Sequence, residues 1–227
     1  MSKGRALLEP FYQKTPNSTR CAIALASLCS NQGSLLRNLG KAEEALACQD
    51  RAVEVLFTAQ RRDPTNDFCR TQCITILGAR ALTRSSRKEH KLALADWDRQ
   101  LEVAGADADK YRCWRGMTLA DLGRHSQAAD DVARALSYPN LTDDERYLCV
   151  CSLSRCLAAA RDDLKLSPSE RSVTADRCAA SALDALKRLH KSGFFKTSAG
   201  REALTTDTDL DPLRGRDDFK SWLRVVK

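Results

Sequence analysis

The sequence predicts an all-α chain: a stack of antiparallel helical hairpins, closed at its C-terminal end by a helical cap. Three observations carry this. Ala and Leu dominate the apolar positions while aromatic residues make up only 6% of the 227. Ala and Leu are the strongest helix formers, whereas a β-sandwich draws on Val, Ile, Thr and aromatics. Gly and Pro are few, at 10 and 6, and fall between periodic segments. Above all, the chain repeats itself. Pro16 and Pro64, Cys21 and Cys69, Gly33 and Ala81, and Ala45 and Ala93 are each 48 residues apart. A third unit follows, with Ala81 to Gly116 and Ala93 to Ala128 both 35 residues apart. A fixed period of this length marks stacked supersecondary units.

The first unit, about 19–62, carries Ile23, Leu25, Leu28, Leu35, Leu36 and Leu39, then a turn at Gly40-Lys41. Its second helix starts near Glu43 and runs through Ala45, Leu46, Ala52, Val53 and Leu56 to Arg62. Asp63-Pro64 ends it, since proline lacks the N–H and clashes with the preceding turn. The second unit, about 66–104, is expected to turn at Ser85-Ser86 and resume through Leu92, Leu94, Trp97 and Leu101. The third, about 107–137, uses Tyr111, Trp114, Leu119 and Leu122, turns at Gly123-Arg124, and resumes through Ala128, Val132 and Leu136. The fourth, about 142–191, opens on a capping box formed by Thr142 and Glu145. In it Pro168 suits a first helical position and Gly193 a C-terminal stop. Residues 192–227 bring Leu204, Leu210, Leu213, Phe219, Trp222 and Leu223 between Asp-rich turns, as a segment closing the last repeat should. Residues 1–15 read as an N-terminal cap or as the second helix of a preceding unit, with Ala6 to Phe11 as its apolar stretch.

The formal charge of +7, from 37 basic and 30 acidic residues, is spread along the chain, so a nucleic-acid partner is not expected. The densest basic stretch, Arg80 to Lys88, reads as a solvated helix end, with a phosphate or acidic-peptide contact as the alternative. The ten cysteines form no CxxC pair, and His90, His125 and His190 lie far from any pair of them. A structural zinc is therefore not expected, and buried thiols acting as small hydrophobes are. Cys69/Cys73 and Cys149/Cys156 have same-face helical spacings. The start, Met-Ser-Lys-Gly-Arg, has no apolar core of a signal peptide, and no apolar run approaches a membrane span. A cytoplasmic location without membrane contact is the expectation.

The stretch Asn31-Gln32-Gly33-Ser34-Leu35-Leu36-Arg37-Asn38-Leu39-Gly40-Lys41-Ala42-Glu43-Glu44-Ala45-Leu46 resembles the tetratricopeptide repeat. Arg115-Gly116 through Leu122-Gly123 to Ala128 and Ala135 is a second match. Gly33, Gly116, Ala45 and Ala128 are expected where the helices of a hairpin cross. The second unit departs from the pattern, lacking the turn glycine and carrying Arg84 where an apolar residue is usual. The resemblance implies a right-handed superhelical stack, the tetratricopeptide-like solenoid, with a concave groove lined by first helices. It places Asn31, Ser34, Arg37 and Asn38, with Ser30, on that groove, followed by Thr75, Leu82, Lys110, Cys113, Trp114 and Met117. It implies a non-catalytic scaffold binding a protein or peptide. The whole chain also resembles the repeat regions C-terminal to bacterial serine/threonine protein kinases, through Asp63 to Phe68 and the string Thr206 to Phe219. That implies, as an alternative, a regulatory piece of a kinase whose catalytic domain is not in this sequence.

No catalytic constellation emerges: HExxH, GxxxxGK[ST], GxSxG and GxGxxG are all absent. Adjacent carboxylates such as Glu43-Glu44, Asp130-Asp131 and Asp217-Asp218 point about 100° apart on a helix and do not converge. They read as solvated faces or turns. No cofactor, metal or catalytic residue is expected.

Overall fold

Short polar side chains start the helices, and the repeat offset carries over to the caps. Ser18 accepts from the Cys21 N–H at 3.2 Å, and Asn66, 48 residues on, accepts from the Cys69 N–H at 2.8 Å. A computed structural model describes residues 3–226; Met1, Ser2 and Lys227, the ends of the expected 1–15 and 192–227 segments, lie outside the described residues. Every element among the described residues is helical. The chain divides into two units, Met1–Ala108 and Asp109–Lys227.

The first unit holds α1 (Lys3–Lys14), α2 (Thr19–Asn38), α3 (Ala42–Arg62), α4 (Asp67–Ser86) and α5 (His90–Ala104). Helices adjacent in sequence pack together, α2 with α3 and α4 with α5, and α4 also lies beside α2 and α3. Their core is built on Leu25, Val55, Leu56 and Ile76, all at most 1% exposed, among Ala22, Ala26, Cys29, Ala52, Cys69 and Cys73. Leu35 and Leu39, expected in that core, are about two-thirds exposed, at 60% and 64%. Leu92 is also exposed. Their helices bury small Ala and Cys positions instead, which draws the backbones close. At Gly33 this closeness becomes a requirement, because a Cβ there would sit 2.7 Å from Gln49 Cγ and 3.0 Å from the Ala45 carbonyl oxygen. Helix α1 packs on α2, and its Glu9 pairs with Arg51 of α3, whose guanidinium lies over the Tyr12 ring.

The second hairpin turns later than expected, since α4 continues through Ser86. The chain reverses at Lys88, which adopts φ +60°. Gly40 and Gly123, at the equivalent turns 48 residues before and 35 after, have φ +75° and +70°. The left-handed conformation is thus kept where glycine is missing, at a steric cost of about 1–2 kcal/mol for a residue with a Cβ. Lys88→Gly is expected to stabilise the first unit by about 1 kcal/mol, read as a higher urea midpoint.

The second unit holds α6 (Arg112–Asp121), α7 (His125–Ser137), α8 (Asp143–Asp162), α9 (Pro168–Ser192), α10 (Ser198–Thr206), α11 (Asp211–Arg214) and α12 (Asp217–Val226). A 3-10 segment, Gly105–Tyr111, crosses the division between the units. Thr142 and Glu145 form the expected capping box, and Ser167 with Glu170 a second one ahead of Pro168. Gly193 ends α9 at φ +89°. Helix α8 is central. It packs against α6, α7, α9, α11 and the 3-10 turn Thr208–Leu210, and so buries residues all round. Gly116 of α6 allows the α6–α7 crossing, since a Cβ would lie 2.9 Å from Val132 Cγ2 and 3.4 Å from the Ala128 carbonyl oxygen.

The tail closes α8 and α9 with both apolar and charged contacts. Phe195, Leu204, Leu210, Leu213, Phe219 and Trp222 are buried. Phe219 and Phe195 flank the Trp222 ring at 5.7 and 5.9 Å. Arg155 of α8 donates to both oxygens of Asp209 at 2.9 and 3.0 Å, and the Tyr147 hydroxyl donates to Asp207 at 2.8 Å. Arg216 donates to Asp176 of α9 at 2.7 Å and to Asp218 at 3.0 Å. Those hydrogen bonds hold the Asp176 and Asp218 carboxyls below their ordinary pKa. A depressed carboxylate contributes stability above its unfolded value, about 3.9, and loses it as pH falls through the folded value. Melting temperature should therefore fall between about pH 4 and pH 2, and Arg216→Gln should shallow that fall. An equal fall in both proteins would remove this clamp from the account.

Candidate functional site

In the first unit the first helices of two hairpins run side by side, with the Ser27 hydroxyl of α2 donating to Gln72 Oε1 of α4 at 3.1 Å. Spacing puts Asn31, Ser34 and Asn38 along one stripe of α2, with Arg37 at its edge. Asn31 and Asn38 are exposed, and Ser34 and Arg37 half-buried. On α4, Thr75 is exposed and Leu82 half-buried. The result is a wall of amide, hydroxyl and guanidinium groups. It offers hydrogen bonds to a backbone or polar side chain, but no nucleophile paired with a base.

In the second unit Lys110 lies in the 3-10 segment, and Trp114 and Met117 lie on α6, all half-buried. The Lys110 ammonium stands 5.7 Å from the Tyr111 ring centre. Two expected groove residues do not face solvent: Ser30 is 5% exposed and Cys113 is fully buried. The Cys113 thiol donates to the Lys110 carbonyl at 3.6 Å.

Two features were missed from sequence. Asp131, expected on a solvated face, is 3% exposed and accepts from Arg112 at 2.7 Å and from Arg115 at 2.6 and 2.8 Å. Asp96, also 3% exposed, accepts from Arg80 at 3.0 Å and Arg84 at 2.8 Å. Arg80/Asp96 and Arg115/Asp131 share one spacing of 16 and one offset of 35, a regularity visible in the sequence. The basic stretch Arg80 to Lys88 is a solvated helix end only from Ser86 onward: Arg87, paired with Glu89, and Lys88 are exposed, whereas Arg80 and Arg84 are half-buried and held by Asp96. Burial works against the Arg80 charge, yet hydrogen bonds and charge from Asp96 and Asp50 hold its pKa above the ordinary value.

All ten cysteines are free and buried. Burial pushes the Cys73, Cys113 and Cys156 thiols up to about 12 and raises Cys149 and Cys151 as well. Such groups carry almost no thiolate near neutrality and make poor nucleophiles. One cluster has the composition of a cation site: ligand atoms of Cys151, Asp207 and Asp209 lie within 4.8 Å of one another. Its carboxylates are already engaged, Asp209 by the Arg155 fork and Asp207 by the Tyr147 hydroxyl. A cation there would have to displace or oppose a guanidinium. The cluster fits the clamp of the tail onto α8 better than a metal centre. No helix among the described residues is long and apolar enough to cross a membrane.

No protein-family model matches the chain, and no curated protein matches it in sequence.

Proposed function

We propose that the chain is a non-catalytic scaffold of the tetratricopeptide kind, whose hairpins wind into a right-handed superhelix and bind a peptide or partner protein on the face of their first helices. The observation that carries this is the polar stripe of exposed Asn31 and Asn38 with half-buried Ser34 on α2, beside α4 with its exposed Thr75. Supporting it, Gly33 and Gly116 permit close hairpin crossings, and sequence-adjacent helices pack in pairs. Arg37 adds a charged donor at the edge of the stripe, and Trp114 on α6 adds an apolar anchor. A setting in kinase-linked regulation rests on the resemblance of the string Thr206 to Phe219 to the ends of kinase-linked repeat regions.

The test is affinity capture from extract of the source cell, followed by a titration of the captured partner. Asn31→Ala with Asn38→Ala is expected to weaken that partner about tenfold or more, the loss of one or two interface hot spots. Trp114→Ala should weaken it by a similar factor. Unchanged affinity in both variants, with helical content retained, would end this reading.

A further inference from the structure

We propose that the groove between α3 and α5, floored by α4, docks an acidic peptide that carries an apolar side chain between its carboxylates. The groove has a volume of about 510 Å³ and lies on the second-helix side of the first unit, away from the α2 stripe. Its apolar surface is the α3 wall of Val53 and Phe57, with Leu77 buried beneath in α4. Val53 and Phe57 pack against the core with one side and leave the other partly open.

The lining itself is net positive, and Asp50 and Glu102 just beyond it pair with three of its arginines. Four arginines line it against Glu54 and Asp96. Asp96 and Asp50 together engage Arg80 and Arg84, which leaves the two rim arginines, Arg61 and Arg99, as the cations open to a ligand. Arg61 donates to the Thr58 hydroxyl at 3.2 Å, and Arg99 lies 5.4 Å over the Phe57 ring and pairs with Glu102 at the surface. A guanidinium presents a planar fork suited to carboxylates, and here it borders apolar surface. A lone inorganic anion would meet the rim and leave the apolar wall bare. A peptide with a Leu or aromatic residue flanked by Asp fills both.

The chain already solves the same recognition problem internally. The tail segment Asp207 to Leu213 lies on α8 with Asp209 in the Arg155 fork, while Leu210 and Leu213 are buried beside it. The equivalent groove of the second unit, between α7 and α9 over α8, has a volume of about 150 Å³ and sets one arginine, Arg177, against Asp130. It lacks both the room and the charge, so the site is confined to the first unit.

The experiment is a fluorescence-anisotropy titration of the full chain with a labelled Thr-Asp-Thr-Asp-Leu-Asp-Pro-Leu peptide, the sequence of residues 206–213. Saturable binding is expected, weakening at least about tenfold on Arg61→Glu with Arg99→Glu. Both residues are exposed, and circular dichroism would check that the variant keeps its helices. Asp→Asn peptides and a Leu→Ser peptide should each lose a similar factor, and affinity should fall as salt rises from about 50 to 300 mM. Asn31→Ala with Asn38→Ala should leave this binding unchanged, so it can fail independently of the first-helix reading. The proposal is overturned by absent binding, by undiminished binding to the double charge reversal, by loss of binding in the α2 variant, or by random-sequence RNA displacing the peptide.

Discussion

Asp131→Ala should lower the stability of the second unit by about 3 kcal/mol. The carboxylate is 3% exposed and bound by two guanidinium groups that are themselves only 13% and 24% exposed on their side chains. Removing one partner of a buried pair costs about 3–5 kcal/mol, because the remaining charge keeps its desolvation penalty without its partner. The lower end applies here, since Arg112 can fall back on Asp109 at 2.7 Å and both arginines retain some solvent. Asp131→Asn, which keeps an acceptor but loses the charge, should cost roughly half as much. Urea unfolding followed by circular dichroism measures both. A loss below about 1 kcal/mol for Asp131→Ala would mean that the two arginines re-solvate without penalty.

Phe219→Ala should cost about 4 kcal/mol, the usual range for a large aromatic removed from a core being 3–5 kcal/mol. Phe219 is 1% exposed and packs with Trp222, which in turn meets Phe195. Its loss opens the aromatic cluster of the tail, leaving Leu204, Leu210 and Leu213 together with the partly solvated Arg155–Asp209 and Arg216–Asp176 pairs to hold it. Such pairs contribute up to about 1 kcal/mol each, too little to make up the loss of the ring. Proteolysis within 193–227 should therefore begin well before the helices of the hairpins are cut. Equal protection of the tail in wild type and variant would show that another contact carries the closure.

What was legible in the sequence was set by chemistry local to a few residues. Thr142 with Glu145, Pro168 and Gly193 act within one turn of backbone, and each stands where its chemistry requires. Gly33 and Gly116 were legible for a related reason, because only close backbones demand a missing side chain. The Leu35/Leu39 stripe was misjudged because periodicity reports that a face exists, not which face is covered. There the neighbouring Cys29, Ser30 and Gly33 turn inward and the leucines outward. The turn at Lys88 was missed because its usual marker, glycine, is absent, although the offset of 48 from Gly40 leads to it. Ser30 and Cys113 were assigned to the groove by resemblance, and helix rotation decides otherwise. Asp131 was misjudged by considering Asp130 and Asp131 as a couple, when its relevant partners lie 16 and 19 residues earlier.

The recurring arginine–aspartate cross-link also limits how this gene segment can be shuffled. A chimera that joins α4 of the second hairpin to α7 of the third still sets Arg80 opposite Asp131, so recombination between those cassettes preserves the match. Splicing α2 in place of α4 would bring Gln32, the residue 48 positions before Arg80, to face Asp96. A buried anion would then lack its cation, and such offspring should be purged as poorly folded. The charge match would thus survive exchange between the second and third hairpins and fail on exchange with the first.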